Sequence, residues 1–223
     1  KKFGLTQIID PNKYQIHDVK IPFDFNNPES SFGNASFHYL KKGIEIVQAH
    51  PFSALVTGPI CKKSWSLAGH NYTGQTELLA ESCNAKNVGM LFTAKSPITN
   101  WRFNTLLATT HIPLSDVPQK ITSNLIHSKL DLLSSFCKKY INFPSLKVAG
   151  LNPHAGEEGI LGFEEKNLIN DAIISWGKKN KTIKVLGPVP PDTCWISSAK
   201  AWREKEANGY DGILAMYHDQ GLI

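Results

Sequence analysis

Short runs of continuously apolar residues, each cut off by a polar turn, recur along this chain and limit what it can fold into. Examples are TLLATT before His111, LKVAGL before Asn152 and GILAM before Tyr217. A strand with one face in water alternates apolar and polar residues, whereas a strand covered on both faces does not. Between these runs lie segments with apolar residues at helical spacing, such as Phe37, Leu40, Ile44 and Val47, or Ile169, Ala172 and Ile173. Strands alternating with helices indicate an α/β protein built on a parallel sheet. The pattern predicts helices over Asn34–Ala49, after Thr73, over Thr122–Tyr140 and over Phe163–Trp176. It predicts strands at Ala54–Thr57, Val88–Phe92, Thr105–Thr110, Lys147–Leu151, Thr182–Leu186 and Gly212–Met216. Residues 1–33 read as irregular, with turns at Asp10-Pro11-Asn12 and Asn26-Asn27-Pro28.

Three of the buried runs end on a histidine: His111, His154 and His218. In open α/β sheets ligands bind beyond the carboxyl ends of the strands. Neutral imidazole suits zinc, nickel, iron or cobalt, so three imidazoles brought to one edge are a candidate metal site. They are too far apart in sequence for a finger or an HExxH helix. Any one of them alone reads as a capping or hydrogen-bonding residue.

With 223 residues, 19% of them charged and 41% apolar, the chain is a globular protein large enough for one big domain or two small ones. Its net charge of +5 is scattered in pairs such as Lys41-Lys42, which is either a solvated surface or a weak field favouring anionic substrates. No basic stripe interleaved with aromatics is present, so nucleic acid is not an expected partner. Cys61, Cys83, Cys137 and Cys194 show no paired spacing, which points to a reducing cytoplasm. No signal peptide or membrane-length apolar run is visible. The chain opens on Lys1-Lys2 and stops at Leu222-Ile223 as a new apolar run begins, so it is read as truncated at both ends.

Other loops offer chemistry with a plainer alternative beside it. Gly58-Pro59-Ile60-Cys61-Lys62-Lys63 is either a turn with surface lysines or a loop that sets Lys62 on a substrate anion or a proton. Thr73 to Glu77 is either a simple helix cap or an anion site, with Gln75 and Thr76 adding side-chain donors to free N–H groups. Glu157 is a partner for His154 or a helix-start carboxylate, and Asp192 is a helix cap, a base or a metal partner.

The stretches LVTGPICK, GQTELLAE, LATTHIPL, GLNPHAGEEGILGFEE, GPVPPDT and AMYHDQGL, taken together, resemble the 4-hydroxythreonine-4-phosphate dehydrogenase family. They follow the family's order and span about residue 54 to the end. The resemblance implies a two-domain α/β/α fold like that of isocitrate and isopropylmalate dehydrogenases, with the domain boundary left open. It implies a homodimer acting on a small phosphorylated amino acid with NAD and a divalent metal, zinc or else magnesium or cobalt. His111, His154 and His218 become the metal ligands, Gln75 and Thr76 substrate contacts, and Lys62 and Asp192 the residues nearest the reacting centre. Many members carry histidine at the position of Gln75, which alters the donor there. The family's further substrate-binding Lys, Asn and Arg, and most of its NAD surface, are expected beyond Ile223. Two other readings stay open: the same chemistry on a phosphorylated threonate or erythronate or on a dihydrodiol, and a metal-dependent hydrolase without nicotinamide. A non-catalytic binding protein is the third class.

Overall fold

Pro28 sets φ for the first turn of the longest helix, α1 (Pro28–Ala49), and Glu29 places a carboxylate at the positive end of its dipole. The helix therefore begins earlier than the apolar spacing from Asn34 predicts. In the computed structural model, residues 15–50, 54–205 and 207–222 are described, and the predicted turn at Asp10-Pro11-Asn12 lies outside them. The chain divides into two compact units, Lys1–Lys86 and Asn87–Ile223.

In the first unit, α1 buries Phe37, Leu40 and Ile44 against Trp65 of α2 (Lys62–Leu67) and Leu78 of α3 (Gln75–Ser82). Gly33 makes this packing possible. A Cβ there would lie 1.9 Å from the Ser64 carbonyl oxygen, so the two helices meet backbone against backbone. Trp65 Nε1 donates to Ser36 Oγ at 2.8 Å, satisfying the indole inside the core. The expected strand Ala54–Thr57 is not one: residues 54–61 have no strand pairing among the described residues, and Val56 is fully exposed.

The second unit carries β1 (Leu91–Lys95), β2 (Arg102–Leu107), α4 (Val117–Lys120), α5 (Ser123–Cys137), β3 (Ser145–Ala149) and α6 (Asn170–Lys179). They are followed by β4 (Lys184–Val189), α7 (Pro191–Cys194), α8 (Ile196–Arg203) and β5 (Gly212–Ala215). The five strands form one sheet in the order β1-β2-β5-β3-β4. β2, β5, β3 and β4 are parallel, as the alternating pattern predicts, and β1 is added to them antiparallel to β2. The turn from Ser96 to Trp101 is the cause. Ser96 N donates to Trp101 O at 2.8 Å, and Ser96 Oγ accepts from Ile98 N and Thr99 N. So short a connection can only return the chain antiparallel.

Leu106, Leu146, Val148 and Leu214 present one face of the sheet to Ile126, Leu130 and Leu133 of α5 and to Ile173 and Trp176 of α6. Thr122 caps α5 by accepting from Leu125 N. Ala149 and Ile213 point to the other face, against Cys194 of α7. Both faces are covered, which is why these strands read as unbroken apolar runs. Each fully buried leucine contributes about 1.5–3 kcal/mol.

That second face also buries a lysine. Lys147 Nζ donates to Cys194 O at 3.0 Å and Ser197 Oγ at 2.9 Å, and sits 4.4 Å from the centroid of the Tyr210 ring. Burial lowers its pKa. Burial also raises the thiols of Cys137 and Cys194, each to about 11. A thiol whose folded pKa exceeds its unfolded value adds stability below the unfolded pKa and loses it as pH rises towards the folded one. Lys147 and Lys129, both lowered by burial, work in the opposite sense, while burial of the Tyr140 hydroxyl raises its pKa and acts with the two thiols. Thermal unfolding should therefore move to lower temperature between about pH 9 and pH 11. The double substitution Cys137→Val and Cys194→Val should flatten that slope in a calorimetric pH series. An unchanged slope would refute the assignment.

Candidate active site

β2, β5 and β3 are adjacent and parallel, so the segments leaving their carboxyl ends emerge side by side. Those segments carry His111, His218 and His154 respectively. The ends of β2 and β5 stay paired beyond the strands. Ala108 N donates to Ala215 O at 2.8 Å, and Thr109 sends both its N–H and its hydroxyl to Met216 O. This pairing brings the His111 and His218 rings to a centroid separation of 5.2 Å. His218 Nδ1 is 3.0 Å from Asp219 Oδ1. A proton held there by the carboxylate leaves the Nε2 lone pair free to bind.

His154 arrives on a strained turn. His154, Ala155, Gly156, Glu157 and Glu158 all have positive φ, between 43° and 80°. Four of the five are not glycine, and each costs of order 1–2 kcal/mol in this left-handed region. The turn survives because Glu165, which is 4% exposed, grips its base. Its carboxylate accepts from Leu151 N and Asn152 N, both at 2.7 Å, and from Asn152 Nδ2 at 2.9 Å. Asn152 Nδ2 also donates to Glu164 at 2.7 Å. Gly156 lets this happen, since a Cβ there would stand 2.7 Å from Glu165 Oε2.

Held this way, His154 Nδ1 lies 3.5 Å from Asp192 Oδ2, across an exposed face. Asp192 is in the first turn of α7 and makes no cap hydrogen bond, so its predicted alternative as a helix cap is not seen. Glu157 lies within the left-handed turn, not at a helix start, and the carboxylate facing His154 is Asp192. A cavity of about 480 Å³ opens beside the turn, lined by His154, Glu157, Glu165, Lys166, Asn170 and Pro190. Among the described residues, no three His, Cys, Asp or Glu side chains stand close enough together to hold one metal ion. The structure pairs His111 with His218 and sets His154 against Asp192.

The first unit holds the remaining expected residues. Gln75 Nε2 donates to Gly58 O at 2.8 Å, tying the GPICK loop to the start of α3. A Cβ on Gly74 would lie 3.9 Å from Lys62 Cε, so the lysine stem runs close to that helix start. Gly74, not Thr73, is the N-cap residue, and no side chain caps α3, which leaves its first N–H groups free. Thr76 is exposed. A cavity of about 260 Å³ is lined by Leu55, Thr57, Gly58, Ile60 and Gln75.

Sequence reasoning passed over Glu165, and it read Gln220 only as one of four functional side chains in a row from Tyr217 to Gln220. Glu165 did leave a trace: it stands where the apolar stripe of Ile169, Ala172, Ile173 and Trp176 extends back by one turn. A carboxylate at a buried stripe position needs donors, and here the loop supplies them.

The profile of the family described as pyridoxal phosphate biosynthetic protein PdxA matches residues 3–223. The 4-hydroxythreonine-4-phosphate dehydrogenase of Synechococcus sp. (strain RCC307) is 46% identical over 220 residues, covering 97% of this chain and 67% of that protein. That of Thermosynechococcus vestitus is 43% identical over 96% of this chain and 65% of the relative. The chain thus spans about two thirds of the length of these curated relatives. The crystal structure of the Klebsiella pneumoniae enzyme of that name superposes with a TM-score of 0.73 at 29% identity, over 86% of this chain and 54% of that one. A central α/β sheet, three histidines at its carboxyl edge and a profile match over nearly the whole sequence agree: the chain belongs to the PdxA family.

Proposed function

We propose that the protein is an NAD-dependent 4-hydroxythreonine-4-phosphate dehydrogenase of pyridoxine and pyridoxal phosphate biosynthesis. It oxidises the secondary alcohol of 4-phosphooxy-L-threonine and releases carbon dioxide to give 3-amino-2-oxopropyl phosphate. The observation that carries this reading is the family match across residues 3–223, with relatives of that name. The protein is proposed to work as a cytoplasmic homodimer, and none of the described helices is long and apolar enough to cross a membrane.

His111 and His218, whose rings the structure brings together, are the proposed first pair of metal ligands; His154, which does not cluster with them here, is the proposed third, to be drawn in from the neighbouring strand end when an ion binds. The donor set is all imidazole, which favours zinc or cobalt over magnesium. When bound, such an ion supplies Lewis acidity to the substrate hydroxyl and to the charge left as carbon dioxide departs. Asp192 and Lys62 are the candidates for taking the hydroxyl proton. Asp192 is favoured because its carboxylate already faces His154. Gln75, Thr76 and the uncapped start of α3 are assigned to the substrate's anionic end.

Two measurements test this. NADH formation should accompany consumption of 4-phosphooxy-L-threonine by the full-length protein. Release of inorganic phosphate without NADH would replace the reading with a hydrolase. Within the reading, Thr76→Ala should raise KM about tenfold and change kcat little, the loss of one hydrogen bond to a charged group. Unchanged kinetics would remove Thr76 from the site.

A further inference from the structure

We propose that Gln220 is a positioning residue that fixes the spacing between the loops carrying His154 and His218. It is 3% exposed and spans two strand ends with one side chain. Its Oε1 accepts from Met216 N at 2.7 Å, directly after β5 and just before His218. Its Nε2 donates to Gly150 O at 2.8 Å, directly after β3 and just before the turn that bears His154. The orientation of the amide is forced, since a backbone N–H only donates and a carbonyl only accepts. Gly150 passes the constraint onward. A Cβ there would lie 2.9 Å from Ala155 Cα, so the left-handed turn folds back onto this residue. On the other side, Gly221 packs so closely on β2 that a Cβ would meet Leu107 Cδ2 at 2.4 Å. The 219–221 segment therefore sits across the carboxyl ends of β2, β5 and β3 together.

A glutamine suits this place where other polar residues do not. Glutamate keeps an acceptor for Met216 but sets a carboxylate against the Gly150 carbonyl. Methionine keeps the volume and loses both bonds. The chemical consequence rests on the metal reading above: groups that orient metal ligands typically change metal affinity 10–100-fold when removed.

The test uses full-length protein with Gln220→Met and Gln220→Glu, and Ile183→Ala as a control that weakens the same core just before β4, at the amino ends of the parallel strands. Hydrogen exchange without metal should speed up in residues 150–158 of both Gln220 variants, far in sequence from the substitution, and not in the control. Zinc titration against a chromophoric chelator should show at least tenfold weaker binding in both variants and wild-type binding in the control. Cobalt-substituted Gln220→Met should show an altered visible spectrum. Wild-type exchange in 150–158, or wild-type zinc affinity, in either variant that folds would overturn the role of Gln220. If the unsubstituted protein binds no zinc, the metal reading falls, and the exchange measurement decides the clamp by itself.

Discussion

His218→Ala is expected to abolish tight zinc binding and to lower kcat/KM by about a thousandfold or more, the loss of several kcal/mol of charge stabilisation. The ring is paired with His111 at 5.2 Å between centroids, and Asp219 holds its Nδ1. Removing it takes away a proposed ligand whose Nδ1 already faces a carboxylate. His218 is half-exposed and lies outside the hydrophobic clusters, so the variant should melt near the wild-type temperature. Metal analysis, steady-state kinetics and calorimetry on one preparation read all three. A variant that keeps its zinc and its rate would remove His218 from the site.

The second large effect is on the turn bearing His154. Glu165→Ala leaves Leu151 N, Asn152 N and the Asn152 amide without the carboxylate they share. Bonds to a charged acceptor are worth about 1.5–3 kcal/mol each, and buried donors left unpaired carry a further cost. The expected loss of stability is roughly 3–5 kcal/mol, together with relaxation of four non-glycine residues out of the left-handed region. Denaturant unfolding and hydrogen exchange over residues 151–158 measure it. Glu165→Gln restores one acceptor but turns an NH₂ group towards donors, so it should fall between alanine and wild type. A wild-type midpoint for Glu165→Ala would show that the turn is held by something else.

What the sequence made legible was the sheet and the edge on which its chemistry sits. Three apolar runs became β2, β3 and β5, with their histidines beyond the carboxyl ends. The boundaries were displaced for physical reasons. The run before His111 extends past β2 because Ala108 and Thr109 remain buried and bonded to Ala215, the end of β5, and to Met216 just beyond it. β4 was expected to stop at Leu186, before Gly187-Pro188, yet it continues to Val189. A proline interrupts the ladder only where its missing N–H is needed, and β4 is an edge strand. The antiparallel β1 was hidden because a strand's direction is set by the turn that follows it, not by its own residues. Nor could spacing reveal how His154 is aimed. That depends on consecutive positive φ values stabilised by Glu165, a contact that no local pattern encodes.

The order of the sheet also bears on how this protein comes to exist. β5 follows β2, β3 and β4 in the sequence, yet it lies between β2 and β3, with residues 212–215 bonded to residues 105–107 on one side and 146–148 on the other. During synthesis β2 and β3 therefore emerge with unpaired edges and must wait for the strand that joins them. Such high contact order makes folding slow and leaves open edges to a chaperone or to aggregation. It also acts as a safeguard. His111 and His218 cannot meet until β5 has threaded between β2 and β3, so a chain made only as far as β4 lacks the histidine pair proposed to receive metal.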